Sequence, residues 1–194
     1  MPLSRLQNKE LLLASASPRR KELLENAGFQ FKVISGKEIN EIIPEGLSGK
    51  KAAIYLSEIK SDAYLSYIKK NTILITADTV VCIGNYILGK PKNYSDAFKM
   101  LRILSGKKHK VITGVTIRSA DKKKSFAAKT FVKFKILTDK EIEYYIKNHK
   151  PYDKAGAYGI QEWVGHIGIC KIKGSYFNVM GLPVQKVYEV LRNF

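Results

Sequence analysis

Two kinds of apolar pattern alternate along the chain. Short continuous runs read as buried strands, and apolar residues at helical spacing read as amphipathic helices. The first run is Leu11 to Ser15, and it leads into Ser17-Pro18-Arg19-Arg20-Lys21-Glu22-Leu23-Leu24. Ser17 is a helix N-cap type, Pro18 suits the first helical position, and Gly28 suits the residue just past the end. Phe29 to Ile34 then alternates as a strand does. Ser48 predicts the cap of a long helix to about Lys70, with Ala52, Ile59, Ala63 and Tyr67 on its apolar face. Ile73 to Ala77 predicts a buried strand ending in an acid, Asp78. Val80 to Leu88 continues as strand, with Gly84-Asn85 as a hairpin turn signal. A helix is predicted from Ser95 to Gly106. Two strands follow, Val111 to Ile117 and Thr130 to Ile136, around the basic turn Asp121 to Lys124. Thr138 to Glu141 is a capping-box pattern, predicting a helix to about Asn148. A glycine-rich stretch, Ala155 to Ile160, precedes a strand near Ile167 to Ile172. The last helix starts near Leu182-Pro183. Strands and helices alternate, so the fold class is α/β with a mixed sheet. No repeat, low-complexity segment or flexible linker appears, and the expectation is one domain over residues 1–194.

Composition adds a constraint on partners. The chain has 34 Lys+Arg against 17 Asp+Glu, a net charge of +17 over 194 residues. Such an excess points to an anionic partner, and nucleic acid, a membrane surface and a nucleotide all satisfy it. Lysine is spread over the whole chain, as in a solvated coat, and its tightest cluster is Lys122 to Lys124. No apolar run reaches the roughly 20 residues that span a bilayer. The apolar stretch near the start is too short for a signal peptide. Cys82 and Cys170 lack metal-type spacing and fit reduced core thiols, so a cytoplasmic protein is expected. The three histidines are scattered, which argues against a histidine zinc site.

Four places offer chemistry. The hydroxyls of Ser15 and Ser17, the guanidinium groups of Arg19 and Arg20 and the free N–H groups of a helix start suit phosphate oxygens. Asp78, beside Thr79, is an acid at a strand end, where α/β sheets place ligands. It suits a metal ligand or a general base, or simply a strand-end cap. Glu41 could complete a metal site with it. Lys60, in the long helix, and Lys90, between Gly89 and Pro91, suit anions or plain solvent exposure. The segment Asp153 to Gln161 is rich in small residues, which let backbone approach a ligand. Gln161 offers an amide donor and acceptor for a base edge.

Together these pieces resemble the Maf family of nucleoside triphosphate pyrophosphatases. The resemblance is carried by Ala14 to Arg20, Thr76 to Val81, Gly89-Lys90-Pro91, Met100 to Gly106 with His109, Thr113-Gly114-Val115, Asp153 to Gln161 and Ile172 to Pro183. It implies an elongated mixed sheet flanked by helices, with two lobes around a nucleotide cleft. It implies hydrolysis of a nucleoside triphosphate to monophosphate and pyrophosphate with a divalent cation, Mg²⁺ or Mn²⁺. Asp78 matches the catalytic proton acceptor, which would activate water directly or through that metal. Arg19, Thr79 and Gln161 match positions of substrate choice. Ser15, Arg20, Glu41, Lys60 and Lys90 match positions lining the cleft. The Asp153 to Gln161 segment looks like the branch acting on dTTP and UTP, a house-cleaning activity that also takes in modified pyrimidine nucleotides. Asn40, Ser61 and Glu162-Trp163 depart from the family pattern; the first bears on metal binding and the last on the base pocket. The family's traditional name adds a cell-division role, and the resemblance suggests a homodimer. The expected partner is the nucleotide, with no membrane and no stable nucleic-acid complex. The alternative is a basic nucleic-acid binder, or a nucleotide-sensing septum regulator without turnover.

Overall fold

A computed structural model describes residues 8–194. The elements in chain order are β1 (Glu10–Ala14), α1 (Pro18–Asn26), β2 (Lys32–Ile34), α2 (Gly49–Ala63), β3 (Thr72–Ile83), β4 (Tyr86–Leu88), α3 (Tyr94–Leu104), β5 (Lys108–Arg118), β6 (Lys123–Phe134), α4 (Asp139–His149), α5 (Trp163–Gly168), β7 (Ile169–Lys173), α6 (Tyr176–Met180) and α7 (Val184–Arg192). The strands form a seven-stranded sheet in the order β2-β1-β3-β5-β6-β7, with β4 on β3. β1 runs parallel to β2 and β3, while β4 and β7 pair antiparallel with β3 and β6. The expected α/β class with a mixed sheet is thus the one observed.

Several predicted boundaries move, each for a physical reason. β3 does not stop at Asp78; it runs through it to Ile83, because Thr76 and Asp78 find partners beside the strand. α2 ends at Ala63, and a short 3₁₀ turn, Leu65–Tyr67, replaces its predicted last turns. α3 is capped by Asn93, whose side chain accepts from the Asp96 N–H, rather than opened by Ser95. β5 and β6 are longer than predicted and absorb Lys123 and Lys124 into the sheet. α5 and α6 were not legible, since each spans one or two turns. The capping box at Thr138 and Glu141 is present with both of its hydrogen bonds. Ser17 occupies the N-cap of α1 without a side-chain cap bond, and Pro18 is the first helical residue.

The chain divides into two units. The first comprises the described residues up to Asp78, with Thr113–Ala128 and Gly181–Phe194; the second comprises Thr79–Ile112 and Lys129–Met180. In the first, Leu13, Leu24, Leu74, Ile75 and Ile117 are fully buried. α2 lies directly against β5 there: a Cβ on Gly114 would overlap the Ala53 carbonyl. Threonines anchor the same helix. Thr76 Oγ1 donates to the Ser57 carbonyl at 2.7 Å, and Ser57 Oγ meets Thr116 Oγ1 at 2.8 Å. In the second unit the core holds Leu101, Leu104, Phe134, Ile142, Tyr145 and Ile146. Both cysteines are free; Cys82 is a core thiol as expected, but Cys170 is exposed on β7. Among the described residues no helix is long and apolar enough to cross a membrane.

Candidate active site

In the first unit, three distant stretches converge on one ammonium. Lys60 Nζ, on the last turn of α2, is ion-paired to Asp78 Oδ1 and lies 2.9 Å from Glu41 Oε1. Its side chain is only 12% exposed, so it is not the snorkelling lysine that its helix pattern allows. Asp78 is buried, which an acid tolerates only with a cationic partner. The two carboxylates therefore already share one point of positive charge.

Arg20 lies behind them. Its Nε donates to the Gly181 carbonyl at 2.9 Å and its Nη1 to Ser15 Oγ at 3.3 Å. Ser15 Oγ also accepts from the Ser17 N–H at 3.2 Å, so the two serines close the turn into α1. Burial lowers the Arg20 pKa from its usual range, and the charge of Asp78 is the strongest influence raising it. A guanidinium remains charged through such a shift. Ser15 and Ser17 thus precede α1, and Arg19 and Arg20 stand in its first turn.

Thr79, Lys90 and Gln161 belong to the second unit. There Gly156 N–H donates to the Gly89 carbonyl at 2.9 Å, tying the Gly89-Lys90-Pro91 segment to the Asp153 to Gln161 loop. A side chain at Gly156 would press on Val81. Ala157 holds φ at 59°, a left-handed conformation that costs a non-glycine residue about 1 kcal/mol or more. Gln161 Oε1 is buried and, among the described residues, has no hydrogen-bond partner. A carbonyl oxygen in that state is a natural acceptor for a ligand donor.

Sequence reasoning missed what holds this loop. Lys154 Nζ bonds Asp153 Oδ1 at 2.6 Å, the local pair that adjacency suggests, but it also reaches Glu162 Oε1 at 3.1 Å. Glu162 Oε2 accepts from the Tyr145 hydroxyl, whose oxygen accepts the Gly159 N–H at 3.0 Å. Burial first, and Glu162 second, raise the Tyr145 pKa, so its hydroxyl stays a donor. Tyr145 reads as a core residue of α4 from its spacing with Ile142 and Ile146, and only tertiary structure shows its polar end. Replacing it with Phe leaves the Gly159 N–H and Glu162 without that partner. The expected cost is about 1–3 kcal/mol, read by chemical denaturation. An unchanged midpoint would show that the hydroxyl holds nothing.

His109, whose motif contributes to the resemblance, is buried under the same loop. Its Nε2 meets the Tyr158 hydroxyl at 2.7 Å and its ring stacks on Phe134. Burial lowers its pKa to about 4. The unfolded chain, with an ordinary pKa near 6.5, binds the proton first as pH falls. Stability from this group is therefore complete above about pH 6.5 and is lost between there and about pH 4. The loss is on the order of 3 kcal/mol. Melting curves across that window should flatten for His109→Gln relative to the parent chain; parallel curves would refute the assignment.

The family model described as "Maf-like protein" matches residues 10–194. A protein of Bacteroides thetaiotaomicron named dTTP/UTP pyrophosphatase is 45% identical over 190 residues, covering 98% of each chain. One of the same name from Christiangramia forsetii is 48% identical over 187 residues, covering 96% of this chain and 95% of that one. Among solved structures, a HAM1 protein from Coxiella burnetii aligns with a TM-score of 0.49 at 13% identity, covering 96% of this chain and 100% of that one. With the family model spanning nearly the whole chain and relatives this similar end to end, the chain belongs to the Maf-like protein family.

Proposed function

We propose that this chain hydrolyses dTTP and UTP to the nucleoside monophosphate and pyrophosphate, in line with the name its relatives share, dTTP/UTP pyrophosphatase. The observation that carries the reading is the Lys60 ammonium held between Asp78 and Glu41, with Arg20 alongside. It puts a buried carboxylate base among cations, which is what attack on a crowded polyanion requires. Water attacks the α-phosphorus and Asp78 takes its proton. The bond from the α-phosphorus to the bridging oxygen breaks, and the electron pair leaves with pyrophosphate. Arg19, Arg20, Lys60 and Lys90 meet the charge that develops there, and such electrostatic stabilisation is usually the largest catalytic contribution. Ser15 and Ser17 hold the turn that presents the two arginines. Thr79 and Gln161 read the pyrimidine, with the unpaired Gln161 Oε1 as acceptor for the N3–H that both bases carry.

The donor set fits a divalent cation. Two carboxylates already meet one positive centre, and hard oxygen ligands suit Mg²⁺ or Mn²⁺. Asp78 and Glu41 are the residues that would hold it, and its charge would neutralise phosphate oxygens. Among the described residues there is no group of three or more His, Cys, Asp or Glu side chains for a metal, so phosphate and water would complete its shell.

The test is a panel of normal and modified nucleoside triphosphates, assayed for both possible cleavages. Pyrophosphate and monophosphate from dTTP and UTP support the reading. Orthophosphate and diphosphate, or no turnover with added Mg²⁺ or Mn²⁺, would refute it.

A further inference from the structure

The lysines that the sequence scatters are gathered by strand register in the second unit. On β6, Lys129, Phe131 and Lys133 alternate with the buried Thr130 and Val132, so they share one face of the strand. On the antiparallel neighbour β7, Lys173 stands opposite Phe131 and Lys171 opposite Lys133. Lys108 of β5 places its ammonium 4.7 Å from the centre of the Phe131 ring, and Lys129 does so at 5.1 Å. Lys108, Phe131, Lys133, Lys171 and Lys173 line one open groove. All five lysines are exposed, and Phe131 is half-buried.

This face carries an electrostatic cost. Like charges directly opposite on paired strands repel, and Lys133 faces Lys171. Some cations elsewhere have an acid at hand: Lys123, at the start of β6, reaches Glu58 at 3.5 Å, and Arg118 reaches Asp62 at 2.5 Å. None of the five lysines around Phe131 makes an ion pair among the described residues. An ordinary lysine coat spaces its charges; this one concentrates them without an acid and sets an aromatic ring in the middle.

We infer that this face binds single-stranded nucleic acid. A strand of phosphates supplies the missing negative charge in a row, and lysines two residues apart are spaced at about 6.6 Å along a β-strand. When the Lys108 and Lys129 ammonium groups over the Phe131 ring turn to phosphates, the ring offers a base a surface to stack on, the combination that sequence-tolerant single-strand binding uses. Lysines are point charges without the planar fork that reads base edges, so binding is to the backbone and independent of sequence. A single small anion would meet only one or two of these ammonium groups. The face takes no residue from the catalytic assignment, so it is a second site rather than part of the first.

Fluorescence anisotropy with a labelled oligo-dT or oligo-U, titrated across salt, tests it. Each phosphate contact contributes about 0.7 to the slope of log K against log salt for single strands. Lys133→Glu with Lys171→Glu should cut the slope by about 1.4 and weaken binding by tenfold or more at low salt. Phe131→Ala should weaken binding by roughly 5- to 100-fold at all salt concentrations. Lys140→Glu with Lys147→Glu changes the net charge equally on α4 and should leave most of the affinity. Turnover of dTTP should be unchanged in the Lys133/Lys171 variant. Three outcomes overturn the inference: equal losses from both double variants, no oligonucleotide binding at 20 mM salt, or binding to anionic vesicles or polyglutamate in preference to the oligonucleotide.

Discussion

Asp78→Asn should lower kcat/KM for dTTP by roughly 10²–10⁴-fold, the range for loss of a positioned general base. The substitution keeps the shape of the side chain and removes its ability to take a proton. It also removes the charge that pairs with Lys60, which keeps Glu41 2.9 Å away. The ammonium is therefore not stranded, and the fold should survive well enough for kinetics. The informative contrast is Glu41→Gln. Glu41 is the more exposed carboxylate, at 38% against 11% for Asp78, so its pairing with Lys60 is more screened by solvent. Its loss should cost distinctly less at saturating Mg²⁺ and more when Mg²⁺ is limiting, since it helps to hold the cation. Steady-state rates at two metal concentrations separate the two acids. Near parental turnover in Asp78→Asn with an intact circular dichroism spectrum would remove Asp78 from the mechanism.

The acid itself was legible, but its setting was not. A carboxylate following a run of apolar residues is conspicuous in a chain with so few acids, and Asp78 is picked out on that ground alone. A polar residue after an apolar run marks a strand end in sequence, but Asp78 does not end its strand. β3 continues, since α2 brings Ser57 and Lys60 to Thr76 and Asp78. Those partners lie 19 and 18 residues away in sequence, and no local pattern encodes them. Lys60 shows the same limit: helical spacing gives its face but not its ion pairs. Local signals worked where the chemistry is local. The Thr138–Glu141 capping box, Pro18 at the start of α1 and the Gly84–Asn85 turn each depend on neighbours within four residues. α5 contains two glycines in six residues and carries no helix signal of its own. Its position follows from packing: Gly165 lies against the Ile160 carbonyl, too close for a side chain. The basic face on β6 and β7 was invisible for a related reason, because cross-strand register, not sequence proximity, assembles it.

Gly114→Ala should be the most destabilising single-methyl change in the first unit, and it should impair catalysis without touching a catalytic residue. The added Cβ would fall on the Ala53 carbonyl and within 2.7 Å of the Ile54 nitrogen. Both are backbone atoms on the buried face of α2, so no side-chain rotation relieves the clash; α2 must move off β5. That movement strains the Ser57–Thr116 contact at 2.8 Å and the Thr76 bond to the Ser57 carbonyl at 2.7 Å. Overpacking of about 1–3 kcal/mol plus about 1 kcal/mol for each disturbed hydrogen bond gives roughly 3–5 kcal/mol. For a chain of this size that corresponds to a fall in Tm of roughly 10 °C. Lys60 rides on the same helix one turn beyond Ser57. A displacement of about 1 Å at a positioned group can cost about 10²-fold in rate, so kcat should fall even in the fraction that stays folded. Gly89→Ala is the matched control: a Cβ there meets nothing within 4 Å, and stability should stay within about 0.5 kcal/mol of the parent. Calorimetry and dTTP turnover on the two variants decide the matter. Equal melting temperatures for both would mean that α2 is not seated on β5 through Gly114. A lowered Tm with parental kcat would mean that the helix position does not govern Lys60.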